Sequence, residues 1–199
     1  IFIRCFIAKF YVIYKYTIYK EMNNKHIVFK EVKKITNLFL HEEMLKDFNP
    51  KPLIEKIKLN VNKELSYKTN VRNQMTDWQC FSKDPTMSSI FANMHYLVGI
   101  LKLPNLQLES CWGTWSSKFV ETFQHKHSPS SISGILYLTE GGPGTYFPEF
   151  DINVEEKIGK LVFFHGDTLH KVTKNKIKKD RFLISFNFKK IKFWSPLAK

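Results

Sequence analysis

The hydrophobic period of the chain changes near Pro104, and that change limits the possible folds more than any other feature. From Thr36 onward Leu38, Phe39, Leu45, Phe48, Leu53, Ile54 and Ile57 recur at three- and four-residue spacing with charges between them, the pattern of amphipathic helices. Asn49-Pro50-Lys51-Pro52 splits this stretch into two predicted helices. A third runs from about 86 to 101, with Met87, Ile90, Phe91, Met94, Leu97 and Val98 on one stripe. Beyond Pro104 the period is 2, and short runs of Val, Ile, Phe, Tyr and Trp alternate with Ser, Gly, Pro and Asn. Strands are predicted over 107–116, 119–127, 132–138, 146–150, 161–165, 170–173 and 181–188. Helices first and strands afterwards, with no parallel βαβ unit, give an α+β fold whose N-terminal helices pack on one face of a sandwich or barrel.

One domain suffices for 199 residues that are 43% hydrophobic and 25% charged, because a chain of this size buries enough surface to need no disulfide or metal staple. Within it, residues 22–106 read as mostly helical and 107–199 as the β core. Residues 1–20 contain no apolar run longer than five, too short for a signal peptide or a membrane span. Met22 opens MNNKHIVFKEV as a natural start would, so residues 1–21 read as an upstream or non-native extension, with a basic membrane-surface anchor as the alternative. Cys5, Cys80 and Cys111 are too few and too scattered for a disulfide framework, which suits a reducing compartment and a cytoplasmic protein.

A net charge of +13 suggests a nucleic-acid partner. Yet 28 of the 31 basic residues are lysine, in a chain also rich in Phe, Ile, Asn and Tyr. This is the signature of A/T-rich codon drift, and a nucleic-acid-binding module is not favoured. Only Arg4, Arg72 and Arg181 carry the planar fork suited to reading phosphate or carboxylate.

Chemistry concentrates in the β half. Alternation along a strand turns His125 and His127 to the same side. His170 follows at the start of another short strand, and Arg181 opens Arg-Phe-Leu-Ile-Ser-Phe-Asn-Phe. In that segment Arg181, Leu183, Ser185 and Asn187 share one face, read as a pocket wall, while Phe182, Ile184, Phe186 and Phe188 share the other, read as core. A guanidinium within a buried strand is costly unless an anion pairs with it. Imidazoles suit a first-row metal with open positions, and an arginine fork suits a carboxylate. A single His-x-His in a β protein is more often a surface pair; the joint placement of His125, His127, His170 and Arg181 gives it weight. His165 reads as structural, Trp78 as core, and Trp112 as barrel packing or part of a substrate mouth.

The stretches Cys-Trp-Gly-Thr at 111–114, His-Lys-His at 125–127 with Ser-Gly-Ile-Leu-Tyr-Leu at 133–138, Gly-Lys-Leu-Val-Phe-Phe at 159–164, Leu-His-Lys-Val at 169–172 and residues 181–187 resemble the 2-oxoglutarate and Fe(II)-dependent dioxygenase superfamily, in its small phage and bacterial branch. The resemblance covers roughly residues 107–188. It implies a double-stranded β-helix, a jelly-roll or cupin-like barrel with a metal at its mouth. It also implies an oxidoreductase that consumes 2-oxoglutarate and dioxygen at Fe(II) and oxidises a further substrate, most simply by hydroxylation. His125 and His170 would be metal ligands, Arg181 would hold the cosubstrate's distal carboxylate, and Tyr137, Ser185 and Asn187 would line that pocket. Where the superfamily usually has an aspartate, this chain has His127. Either His127 completes a three-histidine site, the favoured reading, or an acid such as Asp151, Glu149 or Asp167 does. The alternatives are a non-redox, metal-binding cupin-like protein acting on a small acid or sugar, and the nucleic-acid module.

Overall fold

A computed structural model describes residues 12–14, 32–35 and 38–191, apart from 104, 118, 175, 177 and 178. The extension over residues 1–21, its anchor alternative and the start at Met22 lie outside the described residues, save for one strand at Val12–Tyr14. The elements in chain order are β1 (Val12–Tyr14), β2 (Val32–Ile35), β3 (Leu38–Met44), α1 (Lys51–Leu59), β4 (Gln74–Met75), α2 (Pro85–Ile100), β5 (Leu106–Ser116), β6 (Thr122–His125), β7 (Ile132–Tyr137), β8 (Thr145–Phe147), β9 (Ile152–Val154), β10 (Lys160–His165), β11 (His170–Val172) and β12 (Arg181–Lys190).

These strands form two antiparallel sheets. The larger has the order β1-β2-β3-β10-β7-β12-β5-β4 and the smaller β6-β11-β8-β9. Apart from β1 to β4, the strands cross from one sheet to the other at every step except the β8–β9 hairpin, which stays in the small sheet, the pattern of a double-stranded β-helix. The helices cover the outer face of the large sheet, as the α+β reading requires.

Two apolar layers result. On the helix side, Leu53 and Ile57 of α1, Phe81, and Met87 and Ile90 of α2 pack against Phe39, Cys111, Leu136, Phe163, Phe182, Ile184, Phe186 and Phe188. Between the sheets, Leu40, Ile135, Tyr137, Phe147, Phe150, Val154, Val162, Phe164 and Leu183 form the second layer. With both faces covered, β7 is buried at every position, as expected of a central strand. Helix α1 begins at the Pro50-Lys51-Pro52 stretch, where proline's fixed φ suits a first turn. Asp84 starts α2 by accepting the Thr86 N–H at 3.0 Å, and its other oxygen binds Lys56 of α1 at 2.8 Å. Two glycines permit the close packing on this face. A Cβ on Gly113 would stand 2.4 Å from Ile57 Cγ1, and one on Gly134 2.2 Å from Phe186 Cζ.

One predicted helix is a strand. Residues 38–44 form β3, paired with β10 from Lys160↔Met44 to Phe164↔Leu40. Its apolar residues run consecutively because Phe39 faces the helices while Leu40 faces the second layer. Leu45 and Phe48, which completed the helical spacing, pack from the following turn, where the Leu45 N–H donates to the Gly159 carbonyl at 2.9 Å. The part before residue 107 is therefore mixed rather than mostly helical, and it supplies β1 to β4 of the large sheet. The expected strand over 119–127 is also shorter, Thr122–His125, and Phe119 is exposed with φ of 67°.

Candidate metal centre and anchor

The three histidines meet at one end of the space between the sheets. His125 ends β6 and lies directly opposite His170, which opens β11, in the antiparallel register. His127 stands beyond the strand, so alternation is not what aims it. Its main-chain N–H donates to the Gly166 carbonyl at 2.7 Å, and this contact carries the segment over the turn that follows β10. The ring centroids lie 4.3 Å apart for His125 and His170, 5.0 Å for His125 and His127, and 5.0 Å for His127 and His170. The ligand atoms of all three fall within 4.8 Å of one another.

The outer nitrogens fix the ring orientations. His125 Nδ1 is 2.7 Å from the Phe123 carbonyl, and His170 Nδ1 is 3.1 Å from the Thr168 carbonyl. A carbonyl only accepts, so each Nδ1 carries the proton and each Nε2 keeps its lone pair, the state a metal ligand needs. His170 Nε2 and His127 Nε2 are 3.2 Å apart. Burial lowers the pKa of all three. His125 shifts down through desolvation, His127 falls to about 3 through desolvation and then the neighbouring His125, and His170 falls well below its ordinary value for the same reasons. At neutral pH the cluster is three neutral Lewis bases.

No carboxylate joins this group among the described residues. Asp151 accepts from the Tyr146 hydroxyl at 2.9 Å, Glu149 Oε1 accepts from the Leu169 N–H at 3.0 Å, and Asp167 lies 3.8 Å from Lys126 Nζ. His165 is apart from the cluster too, its Nδ1 accepting from the Asp167 N–H at 3.1 Å.

Across the cavity is the large sheet. In its register Ser185 stands between Trp112 and Ile135, and Leu183 between Thr114 and Tyr137. The cavity, open to solvent on one side, is lined by the three histidines, Arg181 and Ser185, with Trp112, Thr114, Asn73 and Thr145 among the others. Four of these lining residues hold a buried polar atom with no hydrogen-bond partner among the described residues: Asn73 Oδ1, Trp112 Nε1, Thr114 Oγ1 and Arg181 Nη2. Buried polar atoms nearly always have partners, so these four are left to bond water or another polar group in the cavity.

The remaining expected residues divide. Tyr137 is fully buried beneath Arg181, with the guanidinium carbon 5.7 Å from its ring centroid, and its hydroxyl, pushed up to about 12 by burial, donates to Thr145 Oγ1 at 2.6 Å. It supports the wall without being part of the lining. Asn187 is not brought to the cavity. It lies further along β12, where its side chain bonds Ser133 at 2.7 Å and Ser110 at 3.2 Å. Trp78, read as core, is 41% exposed and stands edge-on to Trp112 at 4.8 Å.

Glu156 is the residue that sequence reasoning missed. It is 1% exposed and accepts from Arg181 Nε. The anion demanded by a buried guanidinium is thus partly supplied by the chain itself. Nothing in the local Val-Glu-Glu-Lys pattern marks it; the only signal was the cost of leaving Arg181 unpaired.

No family model matches the chain, and no curated protein matches its sequence. Solved structures do match. The viral collagen prolyl hydroxylase from Paramecium bursaria Chlorella virus-1, solved with 2-oxoglutarate, superposes with a TM-score of 0.62 at 15% identity, covering 77% of this chain and 96% of that one. A Pseudomonas putida prolyl-4-hydroxylase gives 0.58 at 15% identity, over 77% and 93%. HygX from Streptomyces hygroscopicus, with nickel and 2-oxoglutarate bound, gives 0.55 at 11% identity, over 77% and 84%. The chain has the fold of the 2-oxoglutarate oxygenases. At these identities the fold is what is shared, and the chemistry rests on the site. No helix among the described residues is long and apolar enough to cross a membrane.

Proposed function

We propose that the protein is a 2-oxoglutarate- and Fe(II)-dependent oxygenase, a hydroxylase in the simplest case, with dioxygen as its second cosubstrate. Residues 22–199 would act as one structural domain. His125, His127 and His170 are the metal ligands and Arg181 is the anchor for the distal end of the cosubstrate, assisted by Ser185 and by Tyr137 through Thr145. The observation that carries this reading is the facing arrangement: three neutral imidazoles on one wall of a cavity and a spare arginine nitrogen on the other. The donor set fits a divalent first-row metal.

When bound, the metal supplies a site for oxidative decarboxylation of the 2-oxo acid coupled to oxidation of a second substrate. The chain's own share is positional. The Phe123 and Thr168 carbonyls hold the His125 and His170 rings with Nε2 free. Phe147 and Phe164 pack against His170 and keep that side of the cluster dry. Free Cys80 and Cys111 suit a reducing compartment such as the cytoplasm.

Anaerobic titration of the full chain with Fe(II) and then 2-oxoglutarate should develop a weak visible absorption band. Admitting oxygen should then form succinate. Folded protein that binds neither would overturn the proposal. That no carboxylate joins the three histidines among the described residues favours one second reading, a non-redox cupin-like protein for a small acid or sugar. Metal binding without succinate formation would select it.

A further inference from the structure

Arg181 reaches the cavity already partnered. Its Nε donates to Glu156 Oε2, and the two side chains are 2% and 1% exposed. Glu156 Oε1 accepts from Thr139 Oγ1 at 2.7 Å. The turn after β7 presses on the same carboxylate, since a Cβ on Gly142 would lie 2.3 Å from Oε2. The Tyr137 ring lies beside the guanidinium. The Nε donor of Arg181 is therefore committed to the protein, and Nη2 is buried with no hydrogen-bond partner among the described residues.

We propose that Glu156 sets the charge of the anchor, so that Arg181 receives the distal end of a 2-oxo acid mainly as a hydrogen-bond donor. The cavity then discriminates only weakly between a distal carboxylate and a distal carboxamide. This inference rests on the proposed function and deepens it. A guanidinium with both edges free presents a full charge and a two-nitrogen fork to a carboxylate. Here the ion pair is neutral as a unit, and the Glu156 carboxylate opposes a second carboxylate approaching the same guanidinium in a medium that screens poorly. A carboxamide oxygen accepts from Nη2 without that repulsion.

Calorimetric titration of the full chain loaded with Ni(II) tests this with two probes, 2-oxoglutarate and 2-oxoglutaramate. The amide should bind the natural chain within about tenfold of the acid, whereas an uncompensated arginine would favour the acid by about a hundredfold or more. Glu156→Gln should tighten the acid by about tenfold and leave the amide unchanged. The glutamine can keep the local bonds, its Oε1 accepting from Arg181 Nε and its amide donating to Thr139 Oγ1. The Thr139 hydroxyl then turns to the Phe182 carbonyl, 3.4 Å away. A merely structural Glu156 would weaken both probes together on substitution. That outcome, or a natural chain that already prefers the acid by a hundredfold, overturns the inference. If the glutamine variant does not fold, the ratio in the natural chain decides alone. Failure of both probes to bind the nickel-loaded natural chain would instead overturn the oxygenase reading.

Discussion

The two faces of β12 share one backbone and one ladder of hydrogen bonds, yet they do opposite work. Toward the helices, Phe182, Ile184, Phe186 and Phe188 join a single apolar layer, in which Phe91 stands edge-on to Phe186 and Phe188 at 5.1 Å each. Toward the cavity, Arg181 and Ser185 flank Leu183, and the opposite strand β5 offers Thr114 and Trp112 with unpartnered polar atoms. One face gains stability from area removed from water. The other holds polar atoms that have no partner among the described residues. Residue parity alone separates them, so each face can be perturbed with the other as its control.

The largest expected effect is on the cavity face. Arg181→Leu leaves Glu156 buried without its cation and should lower stability by about 3 to 5 kcal/mol. Adding Glu156→Leu should recover most of that loss, because replacing both charges by apolar groups is often neutral. Urea denaturation of the two variants measures it, and equal stabilities would show that the ion pair is not the structural element of that face. Phe186→Ala comes next, with an expected loss of about 3 to 4 kcal/mol from the cavity it opens. Nickel affinity at the histidines should be unchanged in this variant. A folded Phe186→Ala protein with altered metal binding would show that the two faces are coupled.

How much of this was legible in the sequence follows from the same parity. Strand β12 was readable residue by residue because its faces differ in polarity. Strand β3 was not, since both its faces are covered and Leu38-Phe39-Leu40 shows no period of 2. Strands of two or three residues, such as β4 and β9, are too short to display a period. Within the site, the three histidines and Arg181 could be named, but parity tells a side, not a distance along the strand, and Asn187 has the right side and the wrong depth. His127 lies beside His125 in the structure, but its aim comes from the Gly166 contact and not from strand alternation. Glu156 was invisible because an ion pair closed across 25 residues leaves no local mark.

The helix face is not wholly apolar, since His41 and Glu43 of β3 are buried on it, and Glu43 gives a pH test. Glu43 lies opposite Leu161, on the side that faces the helices, and burial pushes its carboxyl up to about 7. At low pH both folded and unfolded chains hold the proton. As pH rises past the ordinary value of 4.5, the unfolded chain releases it while the folded chain keeps it up to about 7. The Glu43 contribution to stability should therefore fall across that window, by up to about 3 kcal/mol, and level off above it, against the opposite slope from the buried His125, His127 and His170. Glu43→Gln should remove this contribution and leave that of the histidines. Equal slopes for the two proteins in urea denaturation between pH 5 and 8 would show that the carboxyl is not desolvated.

The smallest effect expected is the most informative about the cavity. His127→Asp places a charged oxygen donor in a cluster that has none among the described residues, and the position is half-buried at the end of a tied loop rather than within a strand. Stability should change by less than about 1 kcal/mol, since the Gly166 bond is made by the main chain and survives the substitution. If residue 127 is a ligand, Fe(II) affinity should hold or rise by up to about tenfold, because a carboxylate adds charge to a hard-leaning donor set. A fall in affinity with stability unchanged would mean that the imidazole orients His170 across their 3.2 Å contact and that the metal takes its third donor elsewhere. Anaerobic Fe(II) titration of both proteins, followed by the spectral response to 2-oxoglutarate, separates these outcomes in a single experiment.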